Sequence, residues 1–275
     1  MPKRANKAAT LRTREQIKQE VPRLYDLFWH ECDTGRYFDF PLHQLSRKTL
    51  RPLDELLISG SKTVRFSYSD FIEQSAMALA ANALADTLSN EGFANYFRFH
   101  IRNRDVGTAI RSFFRFLDQT TFHLYEHSDR KLLPKVSPRQ VDFGKLETCF
   151  TKGVPKAAAR VTVAAKAFLQ AAKQSIPAAA WKLLRDFRNT DTHRYVVGID
   201  HISYGFSRDD GDVRLHRQGR LMTIGDPDCK SRSYSLYGQP DIDFATMERF
   251  LRACMTNAKA IMIDLGRRRL LVSET

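Results

Sequence analysis

From Tyr68 onward the apolar residues recur at helical spacing, and the chain divides into segments that each show one buried face. "SYSDFIEQSAMALAANALADTLSNEG" carries strong helix formers, with Ser69 as a candidate N-cap and Gly92 as a stop, and predicts a long helix. "RDVGTAIRSFFRFLDQTTFHLYEHSD" places Ile110, Phe113, Phe114, Leu117 and Leu124 in apolar spacing and predicts a second. "PKAAARVTVAAKAFLQAAKQS" predicts a third, ending before Pro177, a residue suited to the first turn of a fourth. "DIDFATMERFLRACMTNAKAIMIDLGRRR" predicts a fifth, with Asp243 as cap and Gly266 as stop. Between the fourth and fifth helices the period changes to two. "GIDHISYGF", "DVRLHRQGRLMTI" and "SRSYSLYG" predict short strands, with "RDDGD" as a hairpin turn.

The segment ahead of Tyr68 is less regular. Residues 1–20 predict a basic arm that becomes helical from Thr13, and "VPRLYDLFWHECD" a short amphipathic helix. Residues 33–66 hold prolines, "ISGSK" and scattered aromatics, which predict irregular chain with one short strand. The expected organisation is an N-terminal arm and extension over residues 1–66. A helical domain over residues 67–275 follows, with a small antiparallel insertion at about 198–240. The fold class is mainly α, and 275 residues suffice to bury a large core.

The fourth helix, "WKLLRDFRNTDTHRYVV" over residues 181–197, changes character halfway. Trp181, Leu184 and Phe187 share a buried face, with Leu183 beside them. After Phe187 the stripe gives way to Arg188, Asn189, Asp191, His193 and Arg194. A continuing helix would put Asp191 within about 30° of Leu184, at ~100° per residue. A carboxylate buried there without a partner would cost several kcal/mol.

Charge narrows the kind of partner. Lys plus Arg number 44 against 31 Asp plus Glu, a net +13, which favours RNA, DNA or acidic lipids. Cys32, Cys149, Cys229 and Cys254 are too far apart for a zinc ribbon or redox pair and predict reduced thiols. The basic N-terminus has no apolar core of a secretory signal, and no apolar run approaches ~20 residues, so a cytoplasmic protein with no membrane span is expected. No glycine-rich phosphate loop, HExxH motif or paired CxxC occurs, and neither a cofactor nor a metal is expected.

At Arg188-Asn189-Thr190-Asp191-Thr192-His193 the chain resembles the signature of the HEPN superfamily: an Arg, four to six residues, then a His, often with a polar residue after the Arg. Tyr195 follows the His by two, an extension similar to toxins of two-gene toxin–antitoxin modules, in which the antitoxin modifies the tyrosine. The same spacing occurs from Arg23 to His30, Arg36 to His43 and Arg194 to His201, but those pairs lie in aromatic-rich or strand-like segments. Only at Arg188 does a polar cluster interrupt a core stripe. The resemblance covers the motif and, loosely, residues 68–265. It implies a HEPN-like helical bundle with a composite site in a homodimer, acting as a ribonuclease toxin or phage-defence effector, with an antitoxin or regulatory protein as a further partner.

The residue types suit that chemistry. His193 can transfer protons near neutral pH. Arg188 can grip phosphate oxygens with a planar fork of donors and stabilise transition-state charge. With the RNA 2′-OH as nucleophile no metal is required, and a 2′,3′-cyclic phosphate is the expected product. Residues five apart on a helix point about 140° apart, so Arg188 and His193 of one chain converge poorly, whereas two chains about a two-fold axis can share one cleft.

Plainer roles stand beside these. His193 can be a solvated surface residue, and Arg188 can pair with Asp191 at i,i+3. Asn189 or Thr190 can cap a helix end, and Asp191 can orient His193 or cap the next segment. Tyr195 can be a packing aromatic. The basic stretches Lys3–Arg14 and Arg267–Arg269 can be solvated tails or can hold an RNA backbone loosely. Three functions follow: a metal-independent endoribonuclease, a non-catalytic helical module binding RNA or protein, and, with least in its favour, a DNA-associated protein using the β insertion.

Overall fold

The frame of the molecule is a pair of long helices laid antiparallel, and the computed structural model builds the remaining helices around it. It describes residues 19, 22–23, 26–30, 45–47, 55–153, 155, 157–193, 199, 205–209, 212–217, 220–225 and 242–273, with backbone alone for 189–193 and 205–225. Residues 26–30 are helical and are labelled α1. Helix α2 is Glu55–Thr87, α3 Glu91–Tyr96 and α4 Asn103–His127. A π-helical stretch, Phe97–Arg102, joins α3 to α4. Then come α5 (Phe143–Lys152), α6 (Ala159–Ala172), α7 (Ala178–His193) and α8 (Phe244–Arg267). The described chain is therefore mainly helical.

The antiparallel pairing of α2 with α4 and the π-helical stretch ahead of it is fixed at three levels. Gly60 lies against His123, Asp70 accepts from Ser112 Oγ at 2.6 Å, and Asn82 Oδ1 accepts from Arg102 at 2.7 Å. Aromatic residues fill the seam between them: Phe71 sits 5.0 Å from Phe113 and Tyr68 5.9 Å from Phe116, centroid to centroid. Trp181 of α7 seals one flank, within 5.6–6.3 Å of Phe113, Phe114 and Phe143. Helix α6 adds Phe168, edge-on to Phe143 at 5.4 Å. Asn257 of α8 donates to the Ala172 and Gln174 carbonyls, closing the end of α6 that the helix itself leaves unpaired.

The predicted helices are present with shifted ends. Helix α2 begins at Glu55, so residues 55–66 are helical rather than irregular, and the division expected at 66/67 falls inside it. Ser69 is an interior residue of α2, and Asn90 caps α3, accepting from Phe93 N at 2.9 Å. Gly92 lies within α3 and stops nothing. Helix α5 was not anticipated. Its cap is Asp142, which accepts from Lys145 N at 2.8 Å. Asp243 caps α8 as expected, accepting from Thr246 N at 2.8 Å. Gly266 is inside α8, and the chain turns instead at Arg269, whose φ is 56°.

Two small sheets complete the described chain. Strands β1 (Ser46–Arg47) and β5 (Val272–Ser273) pair in parallel. The insertion holds β2 (Gly205–Asp209), β3 (Asp212–Arg217) and β4 (Arg220–Gly225), antiparallel in that order. The predicted "RDDGD" turn lies between β2 and β3, and "DVRLHRQGRLMTI" supplies two paired strands, β3 and β4. "SRSYSLYG" lies outside the described residues. The base of the insertion is closed by a bridge between Ile199 and Ile242, both buried. Asn103 donates to the Ile199 carbonyl at 3.1 Å. Beside it, Arg102 is 1% exposed, bonded to Asn82 and Asn103 and stacked 4.2 Å over Phe244. The π-helical stretch thus delivers a buried cation to the junction from which the insertion leaves.

Candidate functional site

Arg188 stands where the buried stripe of α7 ends. Trp181, Leu184 and Phe187 are buried, as their spacing predicts, and Arg188 is the first residue to leave that face. Its guanidinium lies 5.1 Å from the centroid of Phe114 on α4 and reaches Asp118 Oδ2 at 3.4 Å. The arginine side chain is 41% exposed and Asp118 25%. A carboxylate beside Arg188 thus comes from another helix, α4. Asp118 is held from its other side by the backbone N–H of Phe143, the first residue of α5, at 2.9 Å. Burial raises the Asp118 pKa above the ordinary carboxylate value, opposed by the Phe143 N–H and the Arg188 charge and reinforced by nearby Asp142.

This pair forms one end of an open cleft of about 500 Å³ between α2, α4 and α7. Thr108, Arg111, Ser112, Arg115 and Gln119 line it along α4, and Asp70 closes it from α2. Asp70 accepts a hydrogen bond from the Ser112 hydroxyl, and Arg111 donates to Thr108 Oγ1 at 3.0 Å. Arg115 is exposed. Every lining residue carries a polar group, and three guanidiniums face two carboxylates. The arrangement suits an anion held by planar, multidentate donors.

The rest of the predicted motif is placed by its backbone. Helix α7 runs unbroken through Asn189, Asp191 and His193, so positions 188 and 193 lie about 140° apart around its axis. The break in the helix that would let one chain bring the two together does not occur. Tyr195, and with it Arg194 and His201, lies outside the described residues, as do Arg36 and His43. Arg23 and His30 belong to the N-terminal helical residues and to no part of the cleft.

A second group of chemistry-bearing side chains lies on α4 at the other end of the α2–α4 seam. His123, Glu126 and His127 have the H-x-x-E-H spacing of a metal-binding helix. Their contacts are of another kind. The Nε2 atoms of both histidines lie 2.8 Å from the Leu270 carbonyl oxygen, which can only accept, while Glu126 pairs with Arg130. The Ser61 hydroxyl extends the clamp to the Val272 N–H at 3.1 Å, and Ser46 N donates to Leu271 O. Burial lowers the His123 pKa from 6.5 to about 4, with the Leu270 hydrogen bond opposing. This cluster fastens the C-terminal segment to the frame. Among the described residues no group of three or more His, Cys, Asp or Glu side chains is arranged to hold a metal.

No family model, curated protein or solved structure matches the chain.

Of the described cysteines, Cys254 is buried, and burial pushes its thiol pKa up, while Cys149 is half-buried; both are free. Cys32 and Cys229 lie outside the described residues. Among the described residues no helix is long and apolar enough to cross a membrane.

Sequence reasoning reached Arg188 and missed the rest of the cleft. Arg111, Arg115, Asp118 and Asp70 come from helices recognised by their apolar faces alone. A signal was nevertheless present in the second long helix. Thr108, Arg111, Ser112, Arg115 and Gln119 recur at three- and four-residue steps, opposite Ile110, Phe113 and Leu117.

Proposed function

We propose that the protein is a metal-independent endoribonuclease of the HEPN kind, in the class of toxins and phage-defence effectors, that acts as a homodimer. The observation that carries this reading is the position of Arg188. It lies at the head of a cleft shared with Arg111 and Arg115, on a helix that continues unbroken to His193. In this scheme Arg188 grips a non-bridging phosphate oxygen and stabilises the charge that builds there in the transition state. His193 of one subunit takes the 2′-OH proton, and a proton is returned to the departing 5′-oxygen. The phosphodiester is cleaved as the 2′-oxygen bonds to phosphorus, leaving a 2′,3′-cyclic phosphate and a 5′-hydroxyl. Asn189 and Asp191 support the site from the same turn, and Tyr195 is the position for control by an antitoxin. Incubation of the purified protein with total RNA in EDTA, beside His193→Ala, tests the reading; the wild type cleaves and the variant does not.

A second reading has its own support. Arg188 already has a carboxylate partner in Asp118 and a ring beneath it in Phe114. An arginine so held suits a non-catalytic module that binds RNA. Binding of RNA by the wild type without cleavage is the outcome that selects it.

A further inference from the structure

From the geometry of α4 we infer that Arg111 and Arg115 bind consecutive phosphates of an RNA strand leading to Arg188. The identity of the polyanion rests on the RNA reading above; the existence of the site rests on the cleft itself.

The two arginines are four residues apart on one helix, so they share a face and differ by about 6 Å along its axis. That rise is comparable to the step between successive phosphates of an extended strand. Both line the cleft that Arg188 heads, which makes three guanidiniums on one path. Arg115 is exposed and makes no ion pair or hydrogen bond among the described residues, so its donors face the cleft uncommitted. The two carboxylates of the cleft are engaged within the protein, Asp70 by the Ser112 hydroxyl and Asp118 by the Phe143 N–H and Arg188. Arg188 opposes the Asp118 charge, and the three guanidiniums of the cleft outnumber its two carboxylates. The cleft is open, and every residue lining it carries a polar group. It fits a backbone that passes through. Contacts of this kind fix the register of the strand and carry no base preference.

The test is binding of a short labelled single-stranded RNA to the full-length chain carrying His193→Ala, so that no cleavage intrudes, read by fluorescence anisotropy over a range of salt. Arg111→Gln, Arg115→Gln and the double variant are compared with Arg249→Gln, an exposed arginine of α8 that does not line the cleft. Each cleft substitution should weaken binding about tenfold, the loss expected for a charge-assisted contact. Each should also lower the slope of log K against log salt by about 0.7. Arg249→Gln should change neither. A double variant that binds as tightly as its parent, with the same salt slope, overturns the inference. The enzyme reading is judged separately: a wild type that binds through the cleft but leaves RNA intact refutes catalysis alone. A wild type that cleaves while the double variant keeps full affinity refutes the cleft alone.

Discussion

The Arg188 guanidinium and the Asp118 carboxylate meet at 3.4 Å between α7 and α4, over the face of Phe114. A long, flexible side chain is thereby anchored across the gap between two helices, at the head of the cleft. The pair is too exposed to matter much for stability, where such contacts contribute about 0–1 kcal/mol. Its consequence lies in positioning. Asp118→Asn should leave the melting temperature nearly unchanged and lower kcat for RNA cleavage by about tenfold or more, with KM less affected, because Arg188 loses its orienting charge. Equal kcat in variant and wild type would remove Asp118 from the site.

Gly60 is the contact point between α2 and the His123 ring. A Cβ built there would lie 2.5 Å from Nδ1 of an imidazole pinned to the Leu270 carbonyl. Gly60→Ala should therefore destabilise the fold by about 1–2 kcal/mol in urea unfolding, overpacking outweighing the ~1 kcal/mol that alanine gains in a helix. In a His123→Ala background the sign should reverse, since the obstacle is gone. A stabilising Gly60→Ala in the otherwise native chain would contradict the clamp.

The same histidine makes stability depend on pH. The unfolded chain protonates His123 near pH 6.5, and the folded protein only near 4. Between these values the unfolded state holds more protons, so stability falls as pH falls, by roughly 3 kcal/mol once pH 4 is reached. Asp105 and Asp118, whose pKa values are raised chiefly by burial, act in the opposite direction, since they take up protons earlier when folded. Comparing the native chain with His123→Asn by urea unfolding from pH 7.5 to 4 isolates the histidine. The variant should start less stable and lose less on acidification; parallel curves would show that His123 does not titrate as argued.

The helical class and the five predicted helices could be read from the sequence because their apolar residues recur at a helical period. The start of α2 could not. Ser59, Gly60, Ser61 and Thr63 are poor helix formers and look like loop, yet Gly60 and Ser61 are selected by what lies across from them, the His123 ring and the Val272 N–H. That is a tertiary override of local propensity. Helix α5 escaped because ten residues give too few turns to show a period. The site was legible only as far as one helix carried it. Arg188 announces itself by breaking a stripe, while Asp118, 70 residues earlier, and Asp70 on a third helix join it only after α2, α4 and α7 have packed.

The continuity of α7 to His193 bears on assembly. With positions 188 and 193 on different sides of one helix, the proposed mechanism requires a site drawn from two subunits. Arg188→Ala and His193→Ala proteins, each inactive alone, should regain part of the cleavage activity when mixed under conditions that exchange subunits, because one cleft then holds an intact Arg and an intact His. A monomer that cleaves RNA at the wild-type rate, or subunit exchange with no recovery, would refute the shared site.

The most direct measurement is the rate of cleavage of a defined single-stranded RNA in EDTA by the wild type, His193→Ala and Arg188→Ala, with analysis of the product ends. A positioned acid–base group contributes ~10²–10⁴-fold to rate, so His193→Ala should lose at least about a hundredfold. Arg188→Ala should fall comparably with the lost transition-state contact. His201→Ala should retain activity, and the wild-type fragments should end in 2′,3′-cyclic phosphate. Cleavage by His193→Ala at the wild-type rate, or a strict need for magnesium, would contradict the account and leave the polar turn after Phe187 a structural feature.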